Sequence, residues 1–167
     1  SNDQGNITFA IPKGGAKNAA GNSNVAFTSS AQAFDTKAPS VSSISIFETG
    51  TNNAVSTVSK QVDIKVALSE AVSGFTTSDV SVSSGTINSV SQIDSSNYKA
   101  VYTPANNVDA NVTFTVSSGG YQDTVGNTGL SETKVFAVDS KSPTGVLSLP
   151  SGSFGKDDNI DLTLTYN

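Results

Sequence analysis

The stretch Gly119-Gly120-Tyr121-Gln122-Asp123-Thr124-Val125-Gly126-Asn127 has a second, weaker copy near the start of the chain, Gly14-Gly15-Ala16-Lys17-Asn18-Ala19-Ala20-Gly21-Asn22. Each copy follows an alternating apolar run, Ile7-Thr8-Phe9-Ala10-Ile11 or Val112-Thr113-Phe114-Thr115-Val116. Each also precedes an Asp-x-Lys-x-Pro tail, Asp35-Thr36-Lys37-Ala38-Pro39 or Asp139-Ser140-Lys141-Ser142-Pro143. Asn6 and Asn111, which open the two runs, lie 105 positions apart, and Pro39 and Pro143 lie 104 apart. A third copy begins after Pro143, because Val62-Asp63-Ile64-Lys65-Val66-Ala67-Leu68 is echoed 98 positions later by Ile160-Asp161-Leu162-Thr163-Leu164-Thr165-Tyr166. A period of this size is that of one ordinary domain. The chain therefore reads as the end of one repeat (1–37), a complete repeat (38–140) and the beginning of a third (141–167), a segment of something longer.

Composition limits what such a repeat can be. Cys, Met, Trp and His are absent and every basic residue is Lys, so rigidity has to come from packing, short turns or metal ions, with no disulfide available. The net charge of −5 opposes nucleic acid, whose phosphates call for a basic stripe, and an anionic membrane surface for the same reason. No apolar run approaches the length of a membrane span.

Alternation of apolar and polar residues marks the strands. Asn6 to Ile11 and Val25 to Phe34 form the first pair. In the complete repeat the strands are Ser40 to Phe47, Lys60 to Ser69, Val80 to Ser83, Thr86 to Ile93, Tyr98 to Thr103, the run around Val112 to Val116, and Leu130 to Val138. Val62, Ile64, Val66 and Leu68 share one face of the clearest strand, with Gln61, Asp63, Lys65 and Ala67 on the other. The polar stretch Glu48 to Ser59 reads as a loop. Thr76 to Asp79 reads as one helical turn capped by a hydroxyl. The spacing of Ile87, Val90 and Ile93 breaks alternation and predicts a bulge. About seven short strands with Gly, Asn and Ser turns and no convincing helix predict an all-β fold, a Greek-key sandwich of immunoglobulin type, in tandem.

Several separated motifs, in order, carry a resemblance. Leu68-Ser69-Glu70-Ala71-Val72-Ser73-Gly74-Phe75, Asp79-Val80, Tyr98-Lys99-Ala100-Val101-Tyr102-Thr103-Pro104, Asp123-Thr124-Val125-Gly126-Asn127 and Val138-Asp139-Ser140-Lys141-Ser142-Pro143 resemble the bacterial Ig-like repeat. The resemblance implies a module strung in tandem through large surface adhesins and other exported bacterial proteins. It also implies an extracellular, cell-surface array often rigidified by calcium. The first copy departs from the pattern, with Lys17-Asn18 where the later copy has Gln122-Asp123.

Strand direction alternates in such a sandwich, so the second-to-third and sixth-to-seventh loops emerge where the first strand enters. That end collects Asp35 from the incoming linker, Glu70 and Asp79 from one loop, and Asp123 with Asn127 from the other. Oxygen ligands without His or Cys suit a hard cation, which makes calcium the candidate, bound structurally between domains. The alternative is that Asp123 to Asn127 is a turn closed by side-chain bonds to local N–H groups, with Glu70 a solvated charge.

The leading function is a non-catalytic spacer, stalk or filament module of a large extracellular protein. Its partners are neighbouring repeats and other copies, and the host or matrix ligand is bound elsewhere. The alternative is a glycan- or protein-binding module, with Tyr121 offered for stacking on a sugar. An enzyme is disfavoured, because a serine nucleophile finds no histidine base and no Gly-x-Ser-x-Gly turn. Association of the two incomplete ends between copies would leave a sandwich lacking its middle strands, with open edges, so continuation in a longer chain is favoured.

Overall fold

The computed structural model describes residues 3–166; Ser1, Asn2 and Asn167, which the domain reading includes, lie outside the described residues. The chain opens with β1 (Gln4–Ile7), β2 (Ala10–Ile11), β3 (Phe27–Thr28) and β4 (Gln32–Asp35). Eight strands follow in the central repeat: β5 (Val41–Glu48), β6 (Thr57–Val58), β7 (Val62–Leu68), β8 (Val80–Val82), β9 (Thr86–Gln92), β10 (Asn97–Thr103), β11 (Asp109–Val116) and β12 (Glu132–Asp139). The chain closes with β13 (Gly145–Ser148) and β14 (Thr163–Tyr166).

The central strands form two four-stranded sheets, ordered β5-β7-β10-β9 and β6-β12-β11-β8. Between them lies one apolar core. Val62, Ile64, Val66, Tyr98, Ala100 and Tyr102 enter it from the first sheet, and Val112, Phe114, Val116, Phe136 and Val138 from the second. The predicted sandwich is the observed one. The predicted bulge is present as well: Val101 faces Ser89 and Tyr102 faces Ile87, leaving Asn88 as the extra residue of β9.

Two local readings need correction. The span Glu48 to Ser59 is more than a loop, because Thr57 and Val58 form β6, which crosses to the second sheet and pairs in parallel with Ala137 and Val138. Val58 is fully buried. A strand of two residues is too short to show alternation, so polar neighbours conceal it. The helical turn is a 3₁₀ turn, Thr77–Asp79, and it is closed by a carboxylate: Asp79 Oδ2 accepts from the Thr76 backbone N–H (2.7 Å) and hydroxyl (2.9 Å).

Asp63 faces away from the core, as alternation requires, yet is only 3% exposed. The loop after β5 folds over it, with the Gly50 N–H donating to Asp63 Oδ2 (3.1 Å) and Lys99 Nζ 3.6 Å from the same oxygen. Lys65 clamps that loop too, donating to Asn52 Oδ1 (2.6 Å) while its ammonium sits 4.6 Å from the Phe47 ring centroid.

The terminal hairpins reproduce pieces of the central repeat in register. Gln4 to Ile7 pair with Asp35 to Gln32 just as Asp109 to Val112 pair with Asp139 to Phe136, at shifts of 105 and 104. Ala10 and Ile11 pair with Thr28 and Phe27 just as Thr115 and Val116 pair with Thr133 and Glu132, now at 105 on both strands. The returning strand of the first hairpin thus holds one extra residue between Thr28 and Gln32, where it divides into β3 and β4. At the other end Leu147 faces Leu164 as Ile44 faces Val66. The environments differ. Ile7, Phe9 and Ile11 are 58, 65 and 39% exposed, whereas their counterparts Val112, Phe114 and Val116 are at most 1% exposed.

Truncating Val58 should therefore destabilise the sandwich although it lies in a two-residue strand. Val58→Ala is expected to lower unfolding free energy by about 2 kcal/mol. Val125→Ala, at an exposed loop position, should stay within about 0.5 kcal/mol of the parent. Urea unfolding followed by tyrosine fluorescence checks both.

Candidate functional site

The end of the sandwich where the linker arrives is built from three segments. The loop after β7 carries Glu70 and the loop between β11 and β12 carries Asp123. A two-way backbone bridge holds these loops together: the Ser73 N–H donates to the Gln122 carbonyl (2.8 Å) and the Gln122 N–H to that of Ser73 (3.0 Å). Beneath the bridge Phe75 packs against Tyr98 and Tyr121, with centroid distances of 4.7 and 5.3 Å. The linker forms the third segment. Pro39 is fully buried, its carbonyl accepts from the Leu130 N–H (3.0 Å), and the Ser40 and Ser69 backbones and the Ser69 hydroxyl are cross-bonded.

Three of the five expected ligands meet here. One carboxylate oxygen from each of Asp35, Glu70 and Asp123 lies within 4.8 Å of the others. Two calcium ligands at about 2.4 Å on opposite sides of an ion are separated by about that distance, so the spacing fits a shared hard cation. The donor set, oxygen alone, fits it as well. Asn127 stands at the cluster but turns its amide N–H groups inward, donating to Asp123 Oδ2 (2.7 Å) and to the Asp35 carbonyl (3.2 Å). It positions the Asp123 carboxylate and the linker backbone at Asp35, and its amide would have to flip to present oxygen. Asp79 is committed elsewhere: besides closing the 3₁₀ turn, it lies against Gly120, where an added Cβ would fall 1.5 Å from Asp79 Oδ1.

Asp123 also makes the turn that composition alone would allow it. Its Oδ1 accepts from the N–H groups of Val125 and Asn127 (both 2.9 Å), and Gly126 takes φ +95°. In the first copy Asn18 Oδ1 accepts from Ala20 and Asn22 (both 3.0 Å), and Gly21 takes φ +85°. A neutral amide thus builds the same turn, so the turn does not require the negative charge that Asp123 carries.

Burial pushes the Asp123 carboxyl up, but the Asn127 side chain and the N–H groups of Asn127, Val125 and Gly126 outweigh this and hold it below the usual 3.8. Tyr121, the candidate for sugar stacking, is buried against Phe75 and donates its hydroxyl to the Leu130 carbonyl, so it offers no face to a ligand. Sequence reasoning did not identify the Ser73–Gln122 bridge, whose donors are backbone groups and leave no side-chain signature.

Two outcomes follow from this geometry. Gly120→Ala should displace Asp79 and lower stability on the order of 1–3 kcal/mol, measured by chemical unfolding. Because its folded-state pKa is depressed, Asp123 contributes stability that is present above 3.8 and lost as pH falls through the lower folded value. In chelator, thermal melts of the parent and Asp123→Asn should therefore keep a constant separation above about pH 5, and that separation should change only on further acidification.

Comparison with known proteins adds one finding. A family model described as a bacterial Ig-like domain matches residues 35–140. No curated protein and no solved structure matches the chain. The match begins at Asp35, the linker carboxylate of the cluster, and covers both sheets of the sandwich. The chain belongs to the bacterial Ig-like domain family.

Proposed function

We propose that this chain is a non-catalytic structural segment of a large exported bacterial protein, a spacer, stalk or filament module displayed at the cell surface. The family membership supports a structural module of exported proteins. Among the described residues no helix is long and apolar enough to cross a membrane. Residues 1–37 and 141–167 are parts of flanking repeats, a reading supported by the register they share with β11–β12 and β5–β7. The partners are these neighbouring repeats and, in a filament, other copies of the chain.

One observation carries the mechanical reading: a carboxylate from the incoming linker meets two from the loops of the matched domain. A calcium ion held by Asp35, Glu70 and Asp123 would neutralise that cluster and tie the linker to both loops, fixing the angle at which one repeat follows another. Side chains already hold part of this angle through Asn127 and the Asp35 carbonyl.

Calorimetry of the 167-residue chain with calcium and with chelator tests the reading. Calcium at 100 times its dissociation constant should stabilise the fold by roughly 2.7 kcal/mol, seen as a rise in Tm. Asp123→Asn should abolish the calcium increment while keeping the turn, as Asn18 does in the first copy. Identical curves with and without calcium would remove the metal from the proposal.

A further inference from the structure

The two Asp-x-Lys-x-Pro tails leave their repeats in the same way. After β4 the Thr36 backbone N–H donates to the Asp3 carbonyl (2.8 Å), while the Asp3 N–H donates to the Thr36 hydroxyl (3.2 Å), which donates in turn to the Asp3 carbonyl (2.9 Å). After β12 the Ser140 N–H donates to the Val108 carbonyl (2.8 Å), the Val108 N–H to the Ser140 hydroxyl (3.0 Å), and that hydroxyl to the Ala105 carbonyl (2.6 Å). Asp3 and Val108 lie 105 positions apart and Thr36 and Ser140 lie 104 apart, the shifts that relate the two hairpins. The preceding aspartates match as well: Asp35 Oδ1 accepts from the Lys37 N–H (2.8 Å) and Asp139 Oδ1 from the Lys141 N–H (3.2 Å). A hydroxyl thus latches each tail to the repeat it leaves, and an aspartate side chain closes the turn that follows.

The far side of the first tail is held by the repeat it enters. Pro39 is fully buried, its carbonyl accepts from the Leu130 N–H (3.0 Å), the Ser40 carbonyl accepts from the Ser69 N–H (2.8 Å) and the Ser40 N–H donates to the Ser69 hydroxyl (3.0 Å). Lys37 and Ala38 are all that stands between the two sets of bonds. The Asp35 side chain holds Lys37, the proline ring confines Ala38 to extended backbone, and Pro39 has its own φ fixed. We infer that this tail is a preset joint, which holds the angle between successive repeats through protein hydrogen bonds and proline without a metal, and that the hydroxyl of Thr36 is its latch. The inference rests on residues 1–37 being the end of a preceding repeat, and it is independent of calcium. Ser140, Asp139 and Pro143 stand where Thr36, Asp35 and Pro39 do, so the second junction leaves the central repeat with the same geometry.

The test is double electron–electron resonance on the 167-residue chain, which has no cysteine of its own and takes spin labels at Asn6→Cys in β1 and Ser89→Cys in β9, both exposed strand positions. In chelator a single narrow distance peak is expected, and added calcium should leave its centre in place. Thr36→Val keeps the shape of the side chain without the hydroxyl and should lose the narrow peak. Thr36→Ser restores the hydroxyl in the form that Ser140 has at the other junction, and should keep it. A broad distribution in chelator that narrows only with calcium, or a narrow peak that survives Thr36→Val, would overturn the inference. The calorimetric response to calcium can be absent with the narrow peak intact, so the metal and the joint fail separately.

Discussion

The packing of Phe75 between Tyr98, which it meets at a tilt, and Tyr121, which it meets edge-on, is the interaction on which the linker end of this domain depends. Phe75 comes from the loop after β7, Tyr98 from a strand of the first sheet, and Tyr121 from the loop after β11. A chain without cysteine has no covalent way to tie two sheets, and here aromatic contact serves instead. Each buried tyrosine also satisfies its hydroxyl on a loop carbonyl: Tyr98 on Val72 (3.2 Å), Tyr102 on Ser84 (2.9 Å) and Tyr121 on Leu130. Burial raises the pKa of all three phenols, which remain neutral donors in the working range. The ring bodies thus fill the core while their polar tips hold the loops.

From that anchor the site follows by short steps. Phe75 and Tyr121 bring their two loops together, the Ser73–Gln122 bridge fixes their register, and Glu70 and Asp123 are carried to the same end. Pro39 is buried beside them, so the linker cannot swing freely, and Asp35 arrives at a defined place. Like charges gathered this way repel, while the Asn127 side chain and the N–H groups of the turn favour the ionised Asp123 carboxylate. Asn127 donates to one carboxylate and to a backbone carbonyl, and among the described residues no lysine pairs with the three acids.

The sandwich was largely legible because alternation is a strong signal in strands with one buried face. Val62, Ile64, Val66 and Leu68 and the trio Tyr98, Ala100 and Tyr102 all enter the core as their spacing implies. Failures arose where tertiary contact overrides local pattern. β6 is too short to have a period, and Asp63, on the polar side of its strand, is buried by a loop closing over it from thirteen residues upstream. The site was legible as a set of loops sharing one end, which topology dictates. Which carboxylates would meet was less so, since Asp79 and Glu70 belong to the same connection and only packing separates them: Asp79 is drawn inward by Thr76 and Gly120, and Glu70 is left at the junction.

The two copies of the opening motif separate what the turn requires from what the junction adds. Asn18 and Asp123 accept bonds from corresponding N–H groups, two and four residues on, and the corresponding glycines share a left-handed φ. An amide oxygen and a carboxylate oxygen both accept in that geometry, so the turn forms with either, although its N–H groups favour the ionised carboxylate. The copies nevertheless differ in charge, Lys17-Asn18 against Gln122-Asp123, while conserving the backbone around them. A repeat that keeps the turn and varies its charge has a fixed scaffold with an adjustable junction, and in the later copy the loop meets its linker through the bond from the Asn127 amide to the Asp35 carbonyl.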